Sequence, residues 1–280
     1  VDKPVVNFFW HGDKFDFLCR LTIISHIVAG HHCVVWLYGP RPSSDWWIDD
    51  LEEVQIRDVV ELVDVHKWIT DNDADISPAS NFFRCHLMLK KGGWYADLDV
   101  IATATWPSLE TSNGWMVCRE SDHGWKFGTG VMAAPKGHEL FHELLTRIPF
   151  KGKGFVENFS ILCAKYGITD THTPSQFYPI PWNRIYDPVN GTSPLISYDA
   201  SEESSSGTRY AIHLWASELY KSGGYADNFG FPLDYDQLIN KNGLLCAFEV
   251  LGLFDKEKNP TRAFNTRNPY PIPCRFGVDR

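Results

Sequence analysis

The sequence predicts one α/β domain built on a mixed, mainly parallel sheet flanked by helices. Three observations predict it. Residues 5–38 read strand, helix, strand; residues 77–96 read helix, glycine stop, strand; and no linker divides the 280 residues, a length that supports a substantial single core. The two halves are expected to be 1–100, binding a ligand at the strand ends, and 101–280, closing over it.

Val5-Val6-Asn7-Phe8-Phe9-Trp10 is an apolar run of strand length, and Gly12 marks the turn after it. Phe15 to Ala29 carries Leu18, Leu21, Ile24 and Val28 at helical spacing, and Gly30 closes it. Cys33-Val34-Val35-Trp36-Leu37-Tyr38 is a second buried strand. This opening is doubly wound, of the nucleotide-binding kind. It contains no Gly-x-Gly-x-x-Gly and no Gly-x-x-x-x-Gly-Lys-Ser/Thr, so a diphosphate would be neutralised by a metal rather than by a glycine loop.

The next helix is predicted from Ser77, as N-cap, and Pro78, at the first helical position, through Phe83 and Leu87 to Lys90 and Lys91, with Gly92 as the stop. Trp94-Tyr95-Ala96 then forms a short strand whose end presents Asp97 and Asp99. In an extended segment, side chains at i and i+2 point the same way, roughly 6 to 7 Å apart. That spacing suits a hard divalent cation such as Mn²⁺ or Mg²⁺, whose remaining positions substrate phosphates fill.

Further strands are expected at Trp115–Cys118 and Thr129–Ala133, and helices at His138–Arg147 and Phe155–Tyr166. Tyr210 to Trp215 is apolar with one histidine, His213, the next candidate ligand.

Asp-x-Asp also occurs at Asp71/Asp73, Asp73/Asp75 and Asp234/Asp236. Asp71 to Asp75 opens like a calcium loop, but positions six and twelve are Ile76 and Phe82 instead of Gly and Glu; it reads as a solvated loop before the helix. Asp234/Asp236 lacks the glycine pair and the strand, and reads as surface.

A net charge of -9 argues against nucleic acid or an anionic membrane as the main partner. No apolar run approaches the roughly 18–20 residues of a membrane span. The seven cysteines lack metal-type pairing and read as buried free thiols, which, with no visible leader segment, leads us to expect a cytoplasmic protein; Val1 as first residue leaves room for a trimmed anchor. Aromatic residues reach 14%, compatible with a sugar ligand whose apolar faces they could cover. Ser201 to Gly207 reads as an exposed loop. His31, His32, His123, His138 and His142 share no spacing that suggests chemistry.

With these elements placed, the chain resembles the metal-dependent GT-A glycosyltransferases that carry an Asp-x-Asp motif, including fungal mannosyltransferases, α1,4-galactosyl- and N-acetylglucosaminyltransferases and the glucosylating toxins. Trp10-His11-Gly12 matches a first strand ending in Trp-x-Gly, and Gly30-His31 matches a Gly-His after the first helix. Ser80 to Asp99 matches Ser-Asp-x-x-Arg running into Gly-Gly-x-Tyr-x-Asp-x-Asp. Ala211, His213 and Trp215 match an Ala-x-His-x-Trp segment. The chain departs at Asn81, where the family has aspartate, and at Glu157-Asn158, where a Gly-Pro often starts the later helix.

The resemblance implies a Rossmann-like GT-A sheet and transfer of a sugar from a nucleotide-diphosphate donor, a UDP-sugar, to a hydroxyl of a glycan or other acceptor, with retention. It implies that Asp97 and Asp99 bind Mn²⁺ or Mg²⁺ and the diphosphate, that Arg84 contacts the donor sugar or phosphate, that Trp10 lines the base pocket, and that His213 and Trp215 close the site. Asn81 keeps an acceptor but loses the charge, which bears on donor-sugar recognition. No carboxylate stands out as a nucleophile, so same-face attack is expected. Two other readings use the same aspartates: a metal-dependent sugar-nucleotide hydrolase or nucleotidyltransferase, and a non-catalytic sugar-binding module.

Overall fold

The computed structural model describes residues 3–12, 15, 17–42, 51–151, 153–180 and 208–215. Ser201–Gly207, Asp234/Asp236, Cys246 and Cys274 lie outside them. Seven strands and six α-helices are found among the described residues: β1 Val5–Trp10, α1 Phe17–Val28, β2 His32–Leu37, β3 Val54–Asp58, α2 Val65–Asn72, α3 Ile76–Lys90, β4 Gly93–Ala96, β5 Val100–Ala102, β6 Val131–Ala134, α4 Glu139–Leu145, α5 Phe155–Lys165, α6 Pro174–Phe177 and β7 Ala211–His213.

Five strands form one sheet in the order β3-β2-β1-β4-β6, with β6 antiparallel to β4 and the other pairings parallel. The mainly parallel α/β architecture expected from the sequence is thus present. The strands alternate between two cores: Val34, Trp36 and Tyr95 pack with α3, α4 and α5, whereas Cys33, Val35, Leu37, Trp94 and Ala96 pack on the face that holds Cys19 and Ile23 of α1. Burial on both faces explains why these strands read as continuous apolar runs. The one polar residue on the central strand is paired at both ends of its amide, since Asn7 donates to the Trp94 carbonyl and accepts from the Trp36 indole, both at 2.9 Å.

β5 and β7 form a separate antiparallel pair. Their tie to the main sheet runs through the turn between β4 and β5, closed by Val100 N donating to the Asp97 carbonyl at 3.2 Å.

Several expectations are corrected. α3 begins at Ile76 with Asp75 as N-cap, so Ser77 and Pro78 lie within its first turn, where a missing proline N–H leaves no intrahelical bond unmade. Trp115–Cys118 is no strand; it meets the sheet through a single bridge from Met116 to Ala133. The expected loop at Asp71 to Asp75 is partly helix: α2 runs to Asn72 and Asp73 caps it at φ 47°, while Lys67 pairs with Asp71 one turn away. β3, α2, β5 and α6 are additions to the expected elements; β3 has no buried residue and β5 and α6 are only three and four residues long, so none of these three offers an extended apolar pattern.

Gly92 ends α3 at φ 68°, and a Cβ there would sit 2.6 Å from the Lys136 nitrogen. Only glycine fits a left-handed turn against another backbone.

Candidate metal and nucleotide-sugar site

The parallel order of β2 and β1 reverses direction of winding at β1 and β4, and the crevice at the carboxyl ends of those two strands is where ligands lodge in open α/β sheets. Trp10 ends β1 and Asp97 follows β4. Between them opens a cavity of about 600 Å³ lined, among others, by Trp10, Asn81, Arg84, Asp97, Asp99, Glu120, His213 and Trp215. All seven residues singled out in the sequence therefore reach one cavity, His213 and Trp215 from more than a hundred positions downstream of the others.

Asp97, Asp99 and His213 each offer one ligand atom within 4.8 Å of the others. The aspartates converge more closely than an extended segment would allow, because Leu98 and Asp99 lie in the turn that Val100 closes. Asp97 is anchored to the main sheet, its N–H donating to the Gly130 carbonyl at 2.8 Å; Asp99 and His213 belong to the β5–β7 pair, where Leu214 N donates to the Asp99 carbonyl at 2.9 Å. The triad thus spans two sheets.

Arg84 projects from α3, its side chain 5% exposed, and donates to Asp97 Oδ1 at 2.9 Å and to the Thr129 carbonyl at 2.6 Å. Tyr95, one face-repeat before Asp97, donates its hydroxyl to the same carboxylate oxygen at 2.8 Å, and the guanidinium lies 4.4 Å from the Tyr95 ring centroid. Burial pushes Asp97 above the usual carboxylate range against the pull of Arg84. His213 Nε2 lies 3.1 Å from Asp99 Oδ1; burial disfavours its charge, but Asp99, with help from Asp97, carries it above the ordinary imidazole value. A Cβ on Gly130 would meet the His213 ring at 2.7 Å, so the bare glycine lets the imidazole lie on the strand entry.

The donor set fits a divalent cation. It combines two hard carboxylates with an imidazole whose buried Nδ1 has no hydrogen-bond partner. Arg84 Nε and Trp10 Nε1 are likewise buried and unpartnered. Trp215 lines the cavity beside His213, its ring 4.0 Å from that of His213 and its indole donating to the Ile180 carbonyl at 2.7 Å, with φ at 51°. A bulky residue in the left-handed region is strained, and such outliers cluster at ligand sites.

Three contributors escaped the sequence reading. Tyr95 was legible as an i, i+2 neighbour of Asp97. Glu120 and Lys126 had no motif; they face each other across a loop in which Glu120 N donates to the Lys126 carbonyl at 3.1 Å, and Lys126 pairs with Glu157 of α5. Burial pushes the Glu120 carboxyl up to about 7. Glu157 and Asn158, expected near the start of a helix, lie in the first turn of α5, whose N-cap is Gly154.

No protein-family model and no curated protein matches the chain. Among solved structures it is similar to a PaToxG glycosyltransferase, at 16% identity and TM-score 0.44 over 59% of this chain and 70% of that one. It is also similar to two structures of the glycosyltransferase GlyE of Streptococcus pneumoniae TIGR4: one at 12% identity and TM-score 0.47, covering 91% of this chain and 64% of that one, and the apo form at 14% and 0.39, covering 59% and 44%. At such identities and scores these likenesses assign no chemistry, which rests on the geometry above.

Proposed function

We propose that the protein is a metal-dependent GT-A glycosyltransferase, one domain over residues 1–280, that moves a sugar from a nucleotide-diphosphate donor, a UDP-sugar, to a hydroxyl of a glycan or other acceptor. The observation that carries this reading is the convergence of Asp97, Asp99 and His213 within 4.8 Å on the wall of a cavity that also holds Arg84. A cavity of that size accommodates a nucleotide sugar in part-open form.

Asp97, Asp99 and His213 would hold Mn²⁺ or Mg²⁺, the imidazole favouring Mn²⁺. A bound cation would neutralise the diphosphate and stabilise the charge that grows on the departing β-phosphate. Arg84 orients Asp97 through a charge-assisted bond and pulls against the burial that disfavours its ionised form, and its guanidinium, which lines the same cavity and has a buried Nε without a partner, would be a donor for phosphate or sugar oxygen. Trp10 would cover the base, Asn81 the donor sugar, and Trp215 the diphosphate side. Glu120, on the wall formed with Lys126 and Glu157, would accept a hydrogen bond from the attacking hydroxyl and leave the proton to the departing phosphate, giving retention by same-face attack.

The test is a panel of nucleotide sugars incubated with purified protein and Mn²⁺, following the nucleotide released. Nucleoside diphosphate with a glycosylated acceptor is expected. Nucleoside monophosphate would point instead to a nucleotidyltransferase or hydrolase, and glycan binding without turnover to a binding module. Inversion at the anomeric proton in NMR would rule out same-face attack.

A further inference from the structure

Three buried polar side chains on one face of α1 have no place in the site as described. Thr22, Ser25 and His26, at i, i+3 and i+4, are each fully buried and all reach the backbone of the turn and strand that carry Asp99. Thr22 Oγ1 donates to the Leu98 carbonyl at 3.0 Å, Ser25 Oγ accepts from Ala102 N at 3.0 Å, and His26 Nε2 lies 3.2 Å from the Val100 carbonyl.

The protons on this face are fixed in order. Trp106 N donates to His31 Nε2 at 2.9 Å, so His31 carries its proton on Nδ1 and donates it to His26 Nδ1, 3.0 Å away. His26 must then hold its proton on Nε2, where the Val100 carbonyl accepts it. Every bond is satisfied with both rings neutral, and each ring is locked in one tautomer.

These bonds matter because the metal triad is divided between two sheets. Asp97 is fixed to the main sheet through Gly130, while Asp99 and His213 move with the β5–β7 pair, in which Val100 faces His213. α1 packs on the main sheet through Cys19 and Ile23. Its polar face is therefore the strut that sets how far β5 stands from β4, and with it the gap across which the three ligand atoms must meet.

We propose that Thr22, Ser25 and His26 are positioning residues for the cation site, latching β5 to α1 so that Asp99 and His213 stay in register with Asp97. The inference rests on reading that triad as a cation site. Outer residues that orient ligands change metal affinity without touching the metal.

The test uses Mn²⁺ alone, with its dissociation constant measured by electron paramagnetic resonance of the free ion and with thermal melts alongside. Thr22→Val keeps the shape and removes the hydroxyl; it is expected to weaken Mn²⁺ binding roughly tenfold. Thr22→Ser restores the donor and should return the wild-type constant. Ser25→Ala removes one oxygen, and gives the same reading should Thr22→Val not fold. Variants that lower the melting temperature but bind Mn²⁺ as the wild type does would reduce the face of α1 to ordinary core and overturn the proposal. Failure of the wild type to bind Mn²⁺ would remove the site reading itself, a separate result.

Discussion

Arg84 Nη2 and Asp97 Oδ1 lie 2.9 Å apart, with the arginine side chain 5% and the aspartate 32% exposed. One guanidinium thus serves the candidate metal ligand and the Thr129 carbonyl at once. Removing Arg84 leaves the partly exposed Asp97 without its cation and the Thr129 carbonyl without its donor. Arg84→Ala and Arg84→Lys should both lower the melting temperature, since a lysine point charge cannot bridge the two acceptors. A lysine variant that melts with the wild type would sink this account.

Asp97→Asn and Asp99→Asn should separate in their effects. The first weakens the charge-assisted bonds from Arg84 and Tyr95 as well as the ligand set, and should lose both stability and Mn²⁺ binding. The second should abolish Mn²⁺-dependent nucleotide release while changing the melting temperature much less. Equal stability losses, or turnover unchanged in Asp99→Asn, would contradict the roles given to them.

The His26–His31 pair predicts an acid limit to stability. Burial lowers both imidazoles, His31 to about 4 from an ordinary value of 6.5. The unfolded chain therefore takes up protons that the native pair refuses. Stability is full above about 6.5 and is lost as pH falls towards 4, by up to about 3 kcal/mol for His31. Melting temperatures recorded from pH 7.5 to 4.5 should fall over that window. His31→Gln, with its amide in place of the ring, should flatten the slope.

Glu120 acts in the opposite sense. Its carboxyl, pushed up to about 7 by burial, favours the folded state when protonated, so its contribution is present below 4.5 and lost as pH rises through about 7. Glu120→Gln should consequently melt higher than the wild type at pH 8, by roughly 2–4 °C per kcal/mol, while losing sugar transfer. A gain in stability with transfer intact would show that the carboxylate is not used.

Gly92 and Gly93 both have positive φ, yet only Gly92 is crowded. Gly93→Ala should cost about 1–2 kcal/mol for the left-handed backbone alone. Gly92→Ala must in addition displace the Lys136 backbone, and should be markedly less stable by denaturant titration.

Apolar period and glycine stops, which are properties of neighbours along the chain, foretold the β1–α1–β2 opening and the α3–Gly92–β4 delivery of Asp97 and Asp99. His213 stood out as a lone histidine in an apolar run, whereas Arg84, Trp10, Asn81 and Trp215 became candidates through the likeness of their motifs to the Asp-x-Asp glycosyltransferases. Tertiary structure decided the rest. It tightened Asp97 and Asp99 in a turn where an extended segment was expected, reduced Trp115–Cys118 to a single bridge, and moved the start of α3 to Ile76. It also gathered Glu120 and Lys126 around the cavity and set Thr22, Ser25 and His26 beneath β5. Such contacts join residues up to 77 positions apart in the α1 latch alone, and no periodicity records them; they exist only once burial forces each polar group to find its partner.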